Sequence, residues 1–282
     1  MPPFSVFMTD TDRWQERKRA WLSHGIQSEI GRDEGLAFTH NGSITLQDGH
    51  TVVDSGLTGT SVFDAVLCEL AYAWWCPAEG RVIDPFAGGS VRGIVASLMG
   101  YRYTGVELRP EQVAANVKQG QTITPDNPPS WIVGDSSDIQ HLAPGSYDFM
   151  FTCPPYGDLE RYSDDPRDLS TMSYETFISS MRTILARTFD MLKDDSFAAI
   201  VVGDFRDRRG NYRGFPADVM SIAHDCGMGY YNHAIIVNSI GSIRITAANT
   251  FRTRKLSKRH QDFMVFVKGD GKKAAAKIRE QA

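Results

Sequence analysis

A chain of 282 residues that is 41% hydrophobic and 23% charged is long enough to bury a large core and has the composition of a soluble globular protein. No apolar run approaches the roughly 20 residues that span a bilayer, and Met1-Pro2-Pro3-Phe4 lacks the basic start and apolar stretch of a secretory leader, so a cytoplasmic location without a membrane partner is expected. Four cysteines without paired spacing suggest neither a zinc site nor a disulfide framework, and the net charge of −4 conceals a division into −12 over residues 1–240 and +8 over residues 241–282.

Residues 1–54 read as an extension. Thr11-Asp12 is placed to cap a helix through Trp14 to Ser23, ending at Gly25. Trp14 and Trp21 share a face of that helix with Arg17, Lys18 and Arg19 interleaved, which suits docking on the rest of the protein ahead of presenting cations to nucleic acid. Gly42, Asp48-Gly49 and Gly56 to Gly59 read as turns. Ser61 is placed to cap an amphipathic helix through Trp75.

From there helices and strands alternate. Strands are predicted at 81–86, 102–108, 131–134, 147–152, 197–204, 230–238 and 262–268, with helices at 90–99, 110–119, 174–192 and 216–226. Near-continuous apolar strands separated by helices specify an α/β fold with a doubly wound, mostly parallel seven-stranded sheet and an N-terminal helical extension. The last two strands are expected to be antiparallel. Residues 270–282 read as a basic, flexible tail.

Chemistry-bearing residues cluster at predicted strand ends, where open α/β sheets hold ligands. The first strand runs into Asp84-Pro85-Phe86-Ala87-Gly88-Gly89-Ser90. Its glycines allow a close backbone approach, Ser90 can cap the following helix, and Asp84 would repel a phosphate and receive an ammonium. Glu107-Leu108 ends the second strand, 23 residues beyond Asp84, the offset at which a carboxylate grips a ribose diol. Asp135-Ser136 ends the third strand and suits an adenine amine.

The fourth strand ends in Cys153-Pro154-Pro155-Tyr156. Neither proline carries an N–H, so this turn offers carbonyl acceptors in a stiff extended form. Tyr156 adds a ring face for stacking. The combination suits an exocyclic amine on a flat ring. Two later stretches, 204–213 and 244–259, mix arginine with aromatic residues and suit contacts to a polynucleotide backbone.

As an ordered set these motifs resemble the S-adenosylmethionine-dependent DNA amino-methyltransferases over about residues 55–268, with the cofactor motif preceding the catalytic one. The resemblance implies a methyltransferase domain over 55–269 with S-adenosylmethionine as cofactor. It implies cofactor contacts at Phe63, Asp84, Phe86, Gly88, Ser90, Glu107, Leu108, Asp135 and Ser136, and catalysis by Cys153, Pro154, Pro155 and Tyr156. The implied partner is DNA presenting a flipped or single-stranded base, in a restriction-modification setting with or without a partner nuclease or second copy. Cys153 departs from the family, which carries Ser for cytosine N4 and Asp or Asn for adenine N6. Its small side chain after Thr152 is nearer the Ser form, so cytosine N4 is the expected target, with adenine N6, an RNA base, a protein amide, or a catalytically silent DNA-binding copy of the fold as the alternatives.

Overall fold

The computed structural model describes residues 4–27, 44–45, 51–52, 63–157, 163–238, 247 and 250–279. In chain order the elements are β1 (Val6–Met8), α1 (Asp12–Leu22), β2 (Ile44–Thr45), β3 (Thr51–Val52), α2 (Ala65–Trp75), β4 (Arg81–Asp84), α3 (Val91–Leu98), β5 (Arg102–Glu107), α4 (Pro110–Ile123) and β6 (Ser130–Val133). The second half adds α5 (Ile139–Leu142), β7 (Tyr147–Thr152), α6 (Tyr174–Asp190), β8 (Leu192–Val202), α7 (Phe215–Asp225), β9 (Gly229–Val237), β10 (His260–Lys268) and α8 (Gly271–Arg279).

Eight of the described strands form one sheet in the order β1-β9-β10-β8-β7-β4-β5-β6, where seven were expected. The additional strand is β1, which pairs in parallel with β9, so the N-terminal extension supplies an edge of the sheet as well as a helix. Strands β8, β7, β4, β5 and β6 run parallel, and β10 lies antiparallel between β8 and β9. The expected antiparallel pair at the C-terminal end is therefore present.

Both faces of the central strands are buried, which is why they read as unbroken apolar runs. Alternate residues serve different layers, as the strand period of two requires. Val82, Phe149, Phe151, Ala199 and Val201 join one core with residues of α2, α3 and α8, whereas Ile83, Met150, Ala198 and Ile200 join the other with residues of α5, α6 and α7. Helix α6 shows the matching helical pattern. Ser173 caps it by accepting from the Thr176 amide at 3.3 Å, and Phe177, Met181, Ile184, Leu185 and Phe189 form its buried stripe. At Gly93 in α3 a Cβ would fall 2.5 Å from the Trp131 ring, so the absent side chain sets how closely this helix packs.

Helix α1 docks through both predicted tryptophans. Trp14 Nε1 donates to Asp64 at 3.1 Å and Trp21 Nε1 to Glu69 at 2.7 Å, while Arg17 pairs with Glu69. Burial alone would raise the Glu69 carboxyl, but hydrogen bonds from Arg17 and Trp21 outweigh it and hold the group below its ordinary value. The stability this lends is present above the ordinary Glu range and is lost as pH falls through the lowered value. Glu69→Ala is expected to cost about 1–3 kcal/mol, since it strands a half-buried indole N–H and a cation. Urea denaturation followed by tryptophan fluorescence checks this.

Three local expectations are corrected. Thr11 stands at the N-terminus of α1 but its hydroxyl donates to the Met8 carbonyl at 3.1 Å, so it does not cap. Helix α2 begins at Ala65 with Asp64 as its cap, accepting from the Val66 amide at 2.9 Å, and the predicted start at Ser61 lies outside the described residues. The basic segment expected as a flexible tail forms α8, whose Ala274 is buried. Lys277 also donates to the carbonyls of Asp194 and Asp195. The turns predicted at 42, 48–49 and 56–59 lie outside the described residues.

Candidate active site

The sheet order reverses between β4 and β7. Strands β5 and β6 extend to one side of β4, and the chain then returns to place β7 on the other side. Connections leaving the carboxyl ends of β4 and β7 diverge there, which opens a crevice. A cleft of about 380 Å³ lies at this point. Phe63, Phe86, Gly88, Glu107, Leu108, Asp135, Ser136, Cys153, Pro154, Pro155 and Tyr156 all line it. The structure thus brings together eleven of the thirteen sequence-predicted site residues.

Asp84 and Ser90 do not line the cleft. Asp84 is fully buried behind its wall, and its carboxylate is engaged by four donors. Oδ1 accepts from the Phe86 amide (3.0 Å) and Thr152 Oγ1 (2.6 Å), and Oδ2 from Arg92 Nε (2.6 Å) and Tyr103 Oη (2.7 Å). A carboxylate has about four lone-pair sites, so Asp84 has no capacity left for a ligand ammonium. It organises the site instead. Through Thr152 it holds the residue before Cys153, and through Phe86 it holds the glycine turn.

Arg92 completes this arrangement. Besides Asp84 it donates to the carbonyls of Phe86 (2.6 Å) and Ala87 (3.0 Å), and its guanidinium carbon lies 4.7 Å from the Phe63 ring centroid. Ser90, expected as a cap, already has helical φ/ψ of −72° and −15° and makes no cap bond. A capping hydroxyl needs an extended backbone to aim at the N2 or N3 amide.

One half of the cleft is built around Gly88. Its φ of +51° is left-handed, a conformation open to glycine at little cost. The Gly88 amide donates to Glu107 Oε2 at 3.0 Å, while its carbonyl accepts from Asn116 Nδ2 at 2.7 Å. Asn116 is held by Gln112, which accepts from Arg109. Asn116 and Gln112 are fully buried and Arg109 is buried, so this relay fixes the turn from α4.

Burial raises the Glu107 carboxyl above its ordinary value, opposed by the Arg109 and Gly88 amides and the Arg109 guanidinium, with nearby Asp168 adding to the rise. Asp135 accepts from the Ser137 amide at 2.8 Å, and Ser136 donates to the Pro85 carbonyl at 2.5 Å.

The other half centres on Tyr156. Its ring packs edge-on against Phe205 and Phe215, each centroid 6.3 Å away. Its hydroxyl accepts from Gln261 Nε2 at 3.1 Å and lies 4.0 Å from Cys153 Sγ. Thr9, Gln15 and Lys18 from the N-terminal extension, Ile236 and Gln261 from the sheet and Asn238 just past β9 also line the wall. Sequence reasoning missed these residues because none belongs to a motif. Asp168, which also lines the cleft, carried a local signal. In Asp168-Leu169-Ser170 the carboxylate accepts from the Ser170 amide at 2.9 Å, an Asx turn readable from residue types.

The mostly parallel sheet with helices on both faces gives the chain an α/β fold like that of class I methyltransferases. Among solved structures it is similar to TrmN from Thermus thermophilus, at 12% identity and a TM-score of 0.51 over 73% of this chain and 49% of that one. A methyltransferase from Pyrococcus furiosus is similar at 12% identity and a TM-score of 0.50 over 74% and 85% of the two chains. The chain spans about half the length of the Thermus protein. No family model and no curated protein sequence matches this chain.

Proposed function

We propose that this protein transfers a methyl group from S-adenosylmethionine to an exocyclic amine of a DNA base, with cytosine N4 as the target. One observation carries the reading. A glycine turn flanked by Glu107 and Asp135 and the turn Cys153-Pro154-Pro155-Tyr156 form two halves of the same cleft.

The residues present fit the donor. Glu107 can accept the ribose hydroxyls, because each oxygen accepts one amide and retains a second lone pair. Asp135, whose Oδ1 accepts from the Ser137 amide, keeps its second oxygen for the adenine amine. Phe63, Phe86 and Leu108 supply apolar surface, and the open backbone at Gly88 admits the amino-acid end. With Asp84 sealed away, Asp64 and Asp168 are the further carboxylates on the wall. When bound, S-adenosylmethionine supplies an electrophilic methyl on a sulfonium. Carbonyls of the Pro-Pro turn accept the N–H hydrogens of the acceptor amine, draw its nitrogen toward tetrahedral geometry and stabilise positive charge growing there. Cys153 adds a weak acceptor. Tyr156 supports the ring, which reaches the cleft only when out of its stack.

Incubation with isotopically labelled S-adenosylmethionine and DNA, followed by digestion to nucleosides and mass spectrometry, is expected to yield N4-methylcytosine. N6-methyladenine would move the target base and keep the amine chemistry. Label confined to RNA or to a protein amide, or no transfer, would overturn the DNA reading.

Glu107→Ala is expected to weaken donor affinity about 10- to 100-fold by calorimetry, the worth of one or two charge-assisted hydrogen bonds. Because the ribose hydroxyls donate to the ionised form, wild-type affinity should decline as pH falls through the raised Glu107 value, hence sooner than for an ordinary Glu. Glu107→Ala should lose that dependence.

A further inference from the structure

Two segments far apart in sequence, 204–213 and 250–259, meet beside the Tyr156 half of the cleft. Lys258 Nζ donates to the Asp204 carbonyl at 2.9 Å. The Lys255 ammonium lies so close over Gly210 that a Cβ there would fall 2.4 Å from it. Together the segments hold nine Lys and Arg against two Asp, in a chain whose net charge is −4. Counting both carboxylates the segments carry a net charge of +7, and Arg259 is paired with Asp10. Asp204 Oδ1 accepts from the amides of Phe205, Gly214 and Phe215, and Asp207 Oδ1 from that of Asn211.

Arg208, Arg209, Arg252 and Arg254 are exposed, and among the described residues none of them forms an ion pair. Two rings stand out among these cations. Tyr212 is 45% exposed and Phe251 50% exposed, with the guanidinium of Arg206 3.8 Å over the first and that of Arg254 5.3 Å over the second.

We propose that this rim is a track for single-stranded DNA, the four arginines contacting phosphates and Tyr212 and Phe251 stacking on unpaired bases. Charge alone would suit any polyanion. The exposed rings narrow the choice, because a duplex hides its base faces whereas a single strand offers them. The strand would run directly past Phe205, which packs on Tyr156, so a base leaving the track reaches the cleft without the cost of unpairing. The proposal rests on the reading of the cleft as a DNA-base site.

The test is fluorescence polarisation of the full chain with labelled single-stranded DNA, the matched duplex and single-stranded RNA over a salt series, without methyl donor. Single-stranded DNA should bind tightest. The slope of log affinity against log salt should be about −3, since four phosphates contribute roughly −0.7 each. The R208E/R209E and R252E/R254E proteins should each lose at least about tenfold in affinity and about 1.4 of that slope. Tyr212→Ala should lose about fivefold with the slope unchanged. Urea midpoints near that of the wild type establish that the variants fold.

Equal or tighter binding of duplex or RNA, or variants that bind like the wild type, would overturn the track. Binding of single-stranded DNA that no methyl transfer accompanies would leave the track standing and remove the acceptor reading. Methyl transfer to DNA that both arginine pairs leave untouched would remove the track alone.

Discussion

Replacing Arg92 by methionine should lower the free energy of unfolding by about 3–5 kcal/mol, the usual cost of stranding one member of a buried ion pair. Asp84 is fully buried and would keep only the Phe86 amide, Thr152 and Tyr103 as donors. The carbonyls of Phe86 and Ala87 would lose their guanidinium partner as well. Both sit in the turn beneath the proposed donor, so donor affinity should fall with stability.

Urea denaturation measures the first effect and calorimetry at low temperature the second. The double variant Asp84→Asn/Arg92→Met should recover part of the lost stability, because removing the carboxylate's charge relieves the stranded group. A double variant no better than Arg92→Met alone would show that the carbonyl contacts, rather than the ion pair, carry the energy.

Tyr156→Ala should reduce methyl transfer about 10- to 100-fold while leaving donor affinity within about twofold, since base stacking on an aromatic ring is worth about 1–3 kcal/mol. The ring belongs to the half of the cleft away from Glu107 and Asp135, so the separation of effects follows from its place. Tyr156→Phe keeps the ring and removes only the hydroxyl that accepts from Gln261. It should retain most of the activity. Single-turnover rates on single-stranded DNA, set beside calorimetric donor affinity, distinguish these outcomes. Normal turnover in Tyr156→Ala would remove the ring from the mechanism.

Much of the candidate site was legible because its residues sit at the ends of strongly patterned elements. Val82-Ile83 and Phe149-Met150-Phe151 announce buried parallel strands, and a polar residue just past such a run must lie where its strand ends. That places Glu107, Asp135 and Cys153 on one rim once the strands are parallel. Asp84 shows where this reasoning stops. Its position at a strand end was read correctly, yet its direction was not. Arg92, eight residues on, and Tyr103, on the next strand, turn its carboxylate inward.

From the order of amino acids alone came the α/β class, the parallel core and the set of polar groups along one rim, since these follow from short-range periodicity and turn chemistry. Tertiary structure alone decided that β1 would join the sheet, that Asp84 would face the core, and that the two arginine-rich segments would touch. Those outcomes depend on which distant side chains fill the same volume and satisfy the same lone pairs, and such pairing leaves no mark in local sequence.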